Sequence, residues 1–320
     1  MIRVRNISVA LLTLTGLMLA QTPPAANAPA GVQAPARPRF APIPLGAPAP
    51  VPPEVAIPHP TAAEVTQINR AMKKWIDTDQ SADGTLLKKY ESLLMLQAPR
   101  LNVAATYTAT QMRLGYRHDG FVERAKKGDI DLLLHGDSIT DWWLLGDENK
   151  AMFEKYFGGY KTADFAIAGD TTNGVLWGLQ NGEGQGFQPK AIMLMIGTNN
   201  TGGTDTAGTA TAAEIAEGVG AVVLEMRNDF PQAKILLLAI FPRGVAGDPV
   251  RGKIAEINRL ISKLDDQRHV FYLDIGPKFL EADGKLSKEI MPDLLHPNAK
   301  GYEIWAEAIE PSVAKLMGEN

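Results

Sequence analysis

The chain has 320 residues, 45% of them apolar and 21% charged, a composition that suits one sizeable α/β domain with appendages or two small domains. Its formal net charge is −4, with lysine and arginine scattered rather than massed, so a phosphate-tracking surface is missing and nucleic acid is not expected as a partner. There is no cysteine, which excludes disulfides, thiolate metal sites, cysteine nucleophiles and a lipidated N-terminal cysteine.

Residues 1–28 read as a signal peptide. Arg3 and Arg5 form a short basic start, Ser8 to Ala20 is an apolar run, and Ala26-Asn27-Ala28 offers a small-x-small cleavage site. The apolar run falls short of the roughly 20 residues a spanning helix needs, so no stable membrane insertion is expected after cleavage. A secreted or periplasmic bacterial protein is the expectation. Residues 29–60 continue an alanine- and proline-rich stretch that begins at Gln21, and are expected to form an extended linker without a core of their own. Residues 61–112 read as a helical extension. Val65, Ile68, Met72 and Trp75 recur at helical spacing, as do Leu86, Tyr90 and Leu93, with a Ser81-Ala82-Asp83-Gly84 turn between the runs. Three uses are open to these helices: packing on the main domain, a homodimer contact, or a roof over the active site.

From residue 113 to 320 short apolar runs alternate with amphipathic stretches. Ile130–His135, Ala163–Ile167, Ala191–Ile196, Ile235–Ile240 and Val270–Asp274 read as buried strands. Thr211–Asn228, Val250–Leu264 and Asn298–Leu316 read as helices. Near-continuous apolar strands separated by helices predict a parallel sheet covered on both faces, a three-layer α/β/α sandwich of flavodoxin-like topology with five parallel strands.

Ligands of such sheets bind beyond the carboxyl ends of the strands. Four polar clusters fall at that rim: Gly136-Asp137-Ser138-Ile139-Thr140, Ala168-Gly169-Asp170-Thr171-Thr172, Gly197-Thr198-Asn199-Asn200 and Asp293-Leu294-Leu295-His296-Pro297. Acyl transfer fits them. A serine hydroxyl attacks well only when a base takes its proton, and a histidine does so when an anion fixes its tautomer. Ser138 is thus the candidate nucleophile, His296 the base and Asp293 the orienting carboxylate. The Ser138 and Gly169 amides and the Asn199 side-chain amide can donate to the oxyanion. Asp137 and Asp170 are expected to hold their turns through backbone amides.

Those four blocks, in this order, resemble the SGNH (GDSL-like) hydrolases. Gly169-Asp170-Thr171-Thr172, Val175-Leu176-Trp177, Asn181-Gly182-Glu183, Ile196-Gly197-Thr198-Asn199-Asn200 and Pro242-Arg243-Gly244 resemble the platelet-activating-factor acetylhydrolase catalytic-subunit branch and its bacterial relatives. The likeness runs from about Arg117 to Leu316. Many SGNH enzymes have aspartate where Asn200 stands, but that branch also looks like Gly-x-Asn-Asn. The resemblance implies the SGNH hydrolase fold and the same Ser138, Asp293, His296, Gly169 and Asn199 roles. It also implies a small acyl pocket at Ile139, Thr198 and Leu295, suited to acetyl esters.

Trp142, Trp143 and Trp177 follow the first two blocks closely and could wall a sugar site, although packing is the favoured use. His135 reads as a strand-end packing residue, His59 and His269 as structural, and His118 has no derived role. Five scattered histidines without an i, i+4 carboxylate pairing leave no catalytic metal expected, and no cofactor. The expected function is an exported serine esterase acting on short acyl esters of carbohydrates or other small molecules. The alternatives are a lysophospholipid or platelet-activating-factor-like lipid esterase, and a non-catalytic ligand-binding member of the fold.

Overall fold

The computed structural model describes residues 42–98, 100–202 and 210–319. The expected signal peptide and the first part of the expected linker lie outside the described residues. In chain order the helices are α1 (Ala62–Thr78), α2 (Ala82–Lys89), α3 (Glu91–Leu94), α4 (His118–Lys126), α5 (Ser138–Asp141), α6 (Asp147–Phe157), α7 (Thr172–Gly178), α8 (Ala212–Asp229), α9 (Pro249–Ile261) and α10 (Ala299–Met317). The strands are β1 (Leu132–Gly136), β2 (Thr162–Asp164), β3 (Ala191–Met195), β4 (Lys234–Leu238) and β5 (Val270–Leu273).

The five strands pair in parallel in the order β2-β1-β3-β4-β5, so the chain reverses direction across the sheet between β1 and β3. Side chains alternate faces along a strand, and the core divides accordingly. Leu133, Ile192, Leu194, Ile235 and Leu237 pack with Ile215, Val219 and Met226 of α8 and Ile257 of α9. Leu132, Leu134, Met193, Met195, Leu236 and Leu238 pack with Phe153 and Phe157 of α6 and Trp305 and Ile309 of α10. Both faces of the sheet are therefore sealed, which gives the expected three-layer α/β/α sandwich. β2 is shorter than the apolar run suggests, because the Asp164 carboxylate accepts from the Ala166 amide and bends the chain. The Phe165 and Ile167 amides still reach the Leu134 and Gly136 carbonyls.

The helix ends follow their capping residues. Thr61 and Thr211 each form a capping box, with Glu64 and Glu214 respectively. Asn298 caps α10, and left-handed Gly318 closes it.

The N-terminal half differs from the sequence reading in two places. The stretch expected as a free linker through residue 60 packs on the domain from Gly46 onward. The Ala49 amide donates to the Ala105 carbonyl, the Tyr107 amide donates to the Ala47 carbonyl, and Val55 is buried in the main core. Gly218 and Gly220, in the middle of α8, leave the room this strap needs: a Cβ on either would lie 2.6 Å or less from Ala104 or Val55. The expected helical extension over 61–112 ends at Leu94; from there to Thr110 the described residues hold only one helical turn, at Val103–Ala105. There the β-branched hydroxyls of Thr106 and Thr108 bond each other at 2.6 Å, a side-chain pairing that competes with a helix. Among the described residues no helix is long and apolar enough to cross a membrane.

Candidate functional site

Ser138 opens α5 directly beyond the end of β1. The Asp137 side chain accepts from the Ile139 amide at 3.1 Å and starts the turn, as its spacing suggests. All four residues of α5 are buried, with Ser138 6% exposed. Behind α5 the Tyr302 hydroxyl donates to the Ile139 carbonyl at 2.9 Å, and Trp143 stacks on Trp305 with ring centroids 4.4 Å apart. Trp143 is thus core and not a sugar wall.

The loop before α10 brings the other two residues in. Asp293 Oδ1 accepts from the Leu295 and His296 amides at 3.0 and 2.8 Å, and Oδ2 lies 2.6 Å from His296 Nδ1. An ionised carboxylate only accepts, so Nδ1 carries the proton and Nε2 is left to accept. Nε2 lies 2.8 Å from Ser138 Oγ, within the distance a serine–base pair needs. Between the two, Leu294 sits at φ +61°, a left-handed conformation strained for leucine. Its carbonyl accepts from Gly244 of the Pro242-Arg243-Gly244 segment, which pins the turn. Burial raises the Asp293 carboxyl, but its bonds to the His296 ring and to the His296 and Leu295 amides outweigh that and hold it below the usual carboxylate value. His296 is thereby supplied with a resident anion.

Besides Ser138, the residues expected to donate to an oxyanion, Gly169 and Asn199, lie on two neighbouring loops. Gly169 is at φ +80°, a conformation that needs glycine. The Asn199 side chain donates to the Asp170 carbonyl at 2.8 Å, which ties the third block to the second and leaves its other N–H to donate elsewhere. Asn200 binds α7 instead: it accepts from the Thr172 amide and donates to the Thr172 hydroxyl, both at 3.2 Å.

Below these loops lies a network the sequence did not reveal. Arg113, fully buried, donates to Asp170 Oδ2 from Nε at 2.9 Å and from Nη2 at 2.6 Å, and also donates to Glu183. Thr110 donates to Asp170 Oδ1 at 2.9 Å, and His118 meets Glu183 at 2.7 Å, which supplies the role missing for that histidine. Burial disfavours the guanidinium charge, but Asp170 and Glu183 more than restore it and keep Arg113 charged. Asp170 takes the Thr171 amide, as expected of a turn aspartate, and is anchored further by Arg113 and Thr110. Asp141, at the end of α5, accepts from the Ala168 amide at 3.0 Å and from Arg117 at 2.9 Å, linking α5 to the Gly169 loop. An arginine within an otherwise unremarkable segment carries no spacing signal that could have exposed it.

Asp137 is a further buried carboxyl at the site. Burial pushes it up to about 7; the Ile139 amide and Arg243 oppose the shift, while Asp170 and Asp141 add to it. His135 is fully buried, and burial followed by the nearby Arg113 charge keeps it well below its ordinary value, as befits a packing residue.

The three expected pocket residues lie around this centre unequally. Ile139 and Thr198 are fully buried, and Leu295 is half-buried against the same core cluster as Ile139. Ile139 is packed into the core rather than open. Thr198 receives Arg243 on its carbonyl at 3.3 Å. Trp177 tilts against His118 at 4.7 Å, and Trp142 stacks on His296. His59 pairs with buried Glu217 at 3.0 Å, and His269 lies 3.3 Å from Arg227 Nη2. A cavity of about 660 Å³ beside the strap and another of about 430 Å³ beside α9 and β5 are lined by none of the three central residues. Among the described residues no group of three or more His, Cys, Asp or Glu side chains is arranged to hold a metal ion.

Known proteins sharpen this picture. The platelet-activating factor acetylhydrolase IB subunit alpha2 of Gallus gallus is 34% identical over 204 residues, which cover 63% of this chain and 84% of that protein. The alpha1 subunit of Homo sapiens is 29% identical over the same shares. The solved structure of a candidate acylhydrolase from Bacteroides fragilis matches with a TM-score of 0.52 at 16% identity, over 65% of this chain and 99% of that one, a likeness of fold. Residues 134–304 match the GDSL-like lipase/acylhydrolase family, a span that holds Ser138, Gly169, Asn199, Asp293 and His296. The chain belongs to that family and is an ester-cleaving serine hydrolase.

Proposed function

We propose that the protein is an exported O-acetylesterase that removes short acyl groups, chiefly acetyl, from carbohydrates, with Ser138, His296 and Asp293 as its triad. The observation that carries this reading is the continuous line from Asp293 Oδ2 through His296 Nδ1 and Nε2 to Ser138 Oγ, at 2.6 and 2.8 Å. In it, Ser138 Oγ attacks the ester carbonyl as its proton passes to His296 Nε2, and Asp293 stabilises the imidazolium. The Ser138 and Gly169 amides and the free Asn199 N–H receive the oxyanion. The C–O bond to the alcohol then breaks, His296 returns the proton to the departing oxygen, and water releases the acid by the reverse sequence.

Short acyl groups are favoured by the packed Ile139 and Thr198 floor, which offers little depth for a chain. Export is favoured by the basic, apolar and small-residue order of the first 28 positions. A lipid ester is the second reading. The names of the acetylhydrolase relatives favour it, and so do the exposed side chains of Trp142, beside His296, and Met112, beside Gly169.

The test is a panel of para-nitrophenyl esters from acetyl to octanoyl, run beside acetylated xylan and an acetylated phospholipid. The expected result is fastest turnover of acetyl esters and release of acetate from the glycan. Ser138→Ala is expected to remove roughly 10⁶-fold of kcat. Activity rising with chain length, or acetate release from the phospholipid alone, would shift the assignment to a lipid esterase. The mature N-terminus read by mass spectrometry should lie between about Gln21 and Ala30.

A further inference from the structure

His296 is gripped at both ring nitrogens, yet two bonds on one line leave the ring free to rock about that line. The grip on the Asp293 side is also wet: that side chain is 54% exposed, whereas the His296 side chain is 16% exposed. Water competes for a carboxylate so placed, and its Coulombic hold is weakened by solvent. The remaining restraint on the ring comes from its face. The Trp142 indole stacks on it with centroids 4.0 Å apart and planes inclined by 29°.

The origin of Trp142 matters as much as its distance. It lies four residues beyond Ser138, one helical turn away, and its amide donates to the Ser138 carbonyl. Its own carbonyl accepts from the Leu145 amide and the Asn149 side chain, both at 3.2 Å. The next residue, Trp143, is locked in the core against Trp305. One short rigid element therefore carries both the nucleophile and the plate that covers the base. A shift of the His296 loop relative to α5 would have to slide the imidazole across the indole.

We propose that Trp142 is a positioning residue for the base. Its face holds the His296 ring in the plane joining Ser138 to Asp293, and it attracts the imidazolium that forms while Ser138 is acylated. This rests on the triad reading above. An indole face carries negative potential and draws a cation more strongly than a neutral ring. The contact is thus stronger once His296 has taken the proton than before. An interaction of that kind acts on kcat and leaves KM almost unchanged. The rival use of the indole, which is 37% exposed, is as a platform for the alcohol part of the ester. That use would act on KM.

The experiment compares Trp142→Ala, Trp142→Leu and Trp142→Phe with the unaltered protein and Ser138→Ala. It measures kcat and KM per titrated active site with para-nitrophenyl acetate and an acetylated xylo-oligosaccharide, together with melting curves. The expected result is a fall in kcat of about 10-fold for the alanine and leucine variants, with KM within about twofold. Phenylalanine, which restores a π face, should recover most of the loss. The half-exposed position keeps all three folded. The proposal is overturned if the alanine variant keeps kcat within about twofold, if its KM rises with kcat unchanged, or if leucine rescues as well as phenylalanine. An active Ser138→Ala would bring down the triad reading and this proposal together. An inactive Ser138→Ala beside a fully active Trp142→Ala would bring down this proposal alone.

Discussion

Ser138 stands on a helix whose residues are all buried, with Tyr302 and the Trp143 stack behind it and the Arg113 network under the neighbouring loop. Asp293 and His296 stand on a loop with a half-exposed carboxylate, held by short-range bonds and one strained leucine. The first side is positioned by the core, so damage there should appear as lost stability as well as lost rate. The second is positioned by its own turn, so damage there should appear almost wholly as lost rate. Ser138 and His296 are thus placed by different physics and meet across 2.8 Å.

The largest effect that would test the contrast is on the buried side. Arg113→Met leaves Asp170 and Glu183 without their shared cation, and removing one partner of a buried ion pair costs about 3–5 kcal/mol. Chemical denaturation measures this; a loss below about 1 kcal/mol would mean that the carboxylates find other partners. Next comes Asn199→Ala. It should lower kcat by roughly 100- to 1,000-fold, about 2.7–4 kcal/mol, with KM little changed. Asn200→Ala, whose bonds run to Thr172, should cost mainly stability. If Asn199→Ala keeps more than about a third of kcat, its oxyanion role is lost.

On the exposed side, Asp293→Asn should reduce kcat by about 100-fold. That is less than the roughly 10⁴-fold seen where such an aspartate is buried, because solvent already screens this one. Its melting curve should barely move, and a large drop in melting temperature would erase the contrast.

The smallest effect is in the pH dependence of stability. The folded Asp137 carboxyl lies at about 7 against an ordinary 3.8, and burial is the main reason. The sign follows from linkage: its stabilising contribution is complete below about pH 4 and is lost as the pH rises through about 7. Asp164 and Asp229, each also raised to about 7 by burial, act in the same direction. Asp293, held low, contributes in the opposite sense, losing its share only as the pH falls through its depressed value. Melting temperature should therefore decline from pH 5 to pH 8, and Asp137→Asn should flatten the decline. An unaltered slope in that variant would show that Asp137 does not titrate in this window.

Much of this was legible beforehand for a physical reason. A strand buried on both faces writes itself as a continuous apolar run, so all five strands were found, four of them to within two residues at each end. Three of the rim clusters stand out because each follows such a run, and the fourth, Asp293 to His296, because an aspartate and a histidine three residues apart precede the last helix. Arg113 was not legible, since one buried arginine looks like any surface arginine until its carboxylates are known. The strap reads as a linker because alanine and proline are poor in charge and side-chain bulk, which marks a linker unless a groove is waiting. Here α8 provides that groove with Gly218 and Gly220.

That groove separates the limits of the chemistry from the limits of the folding unit. A chain trimmed to the family span would keep Ser138, Gly169, Asn199, Asp293 and His296. It would lose Ala49, Val55 and Ala105, leaving bare the stretch of α8 they cover, and it would lose Arg113 from beneath the Gly169 loop. Such a fragment would present a naked apolar stripe and two uncompensated carboxylates, a recipe for inclusion bodies rather than a smaller catalyst. The compact unit starts near Ile43, well ahead of Ser138.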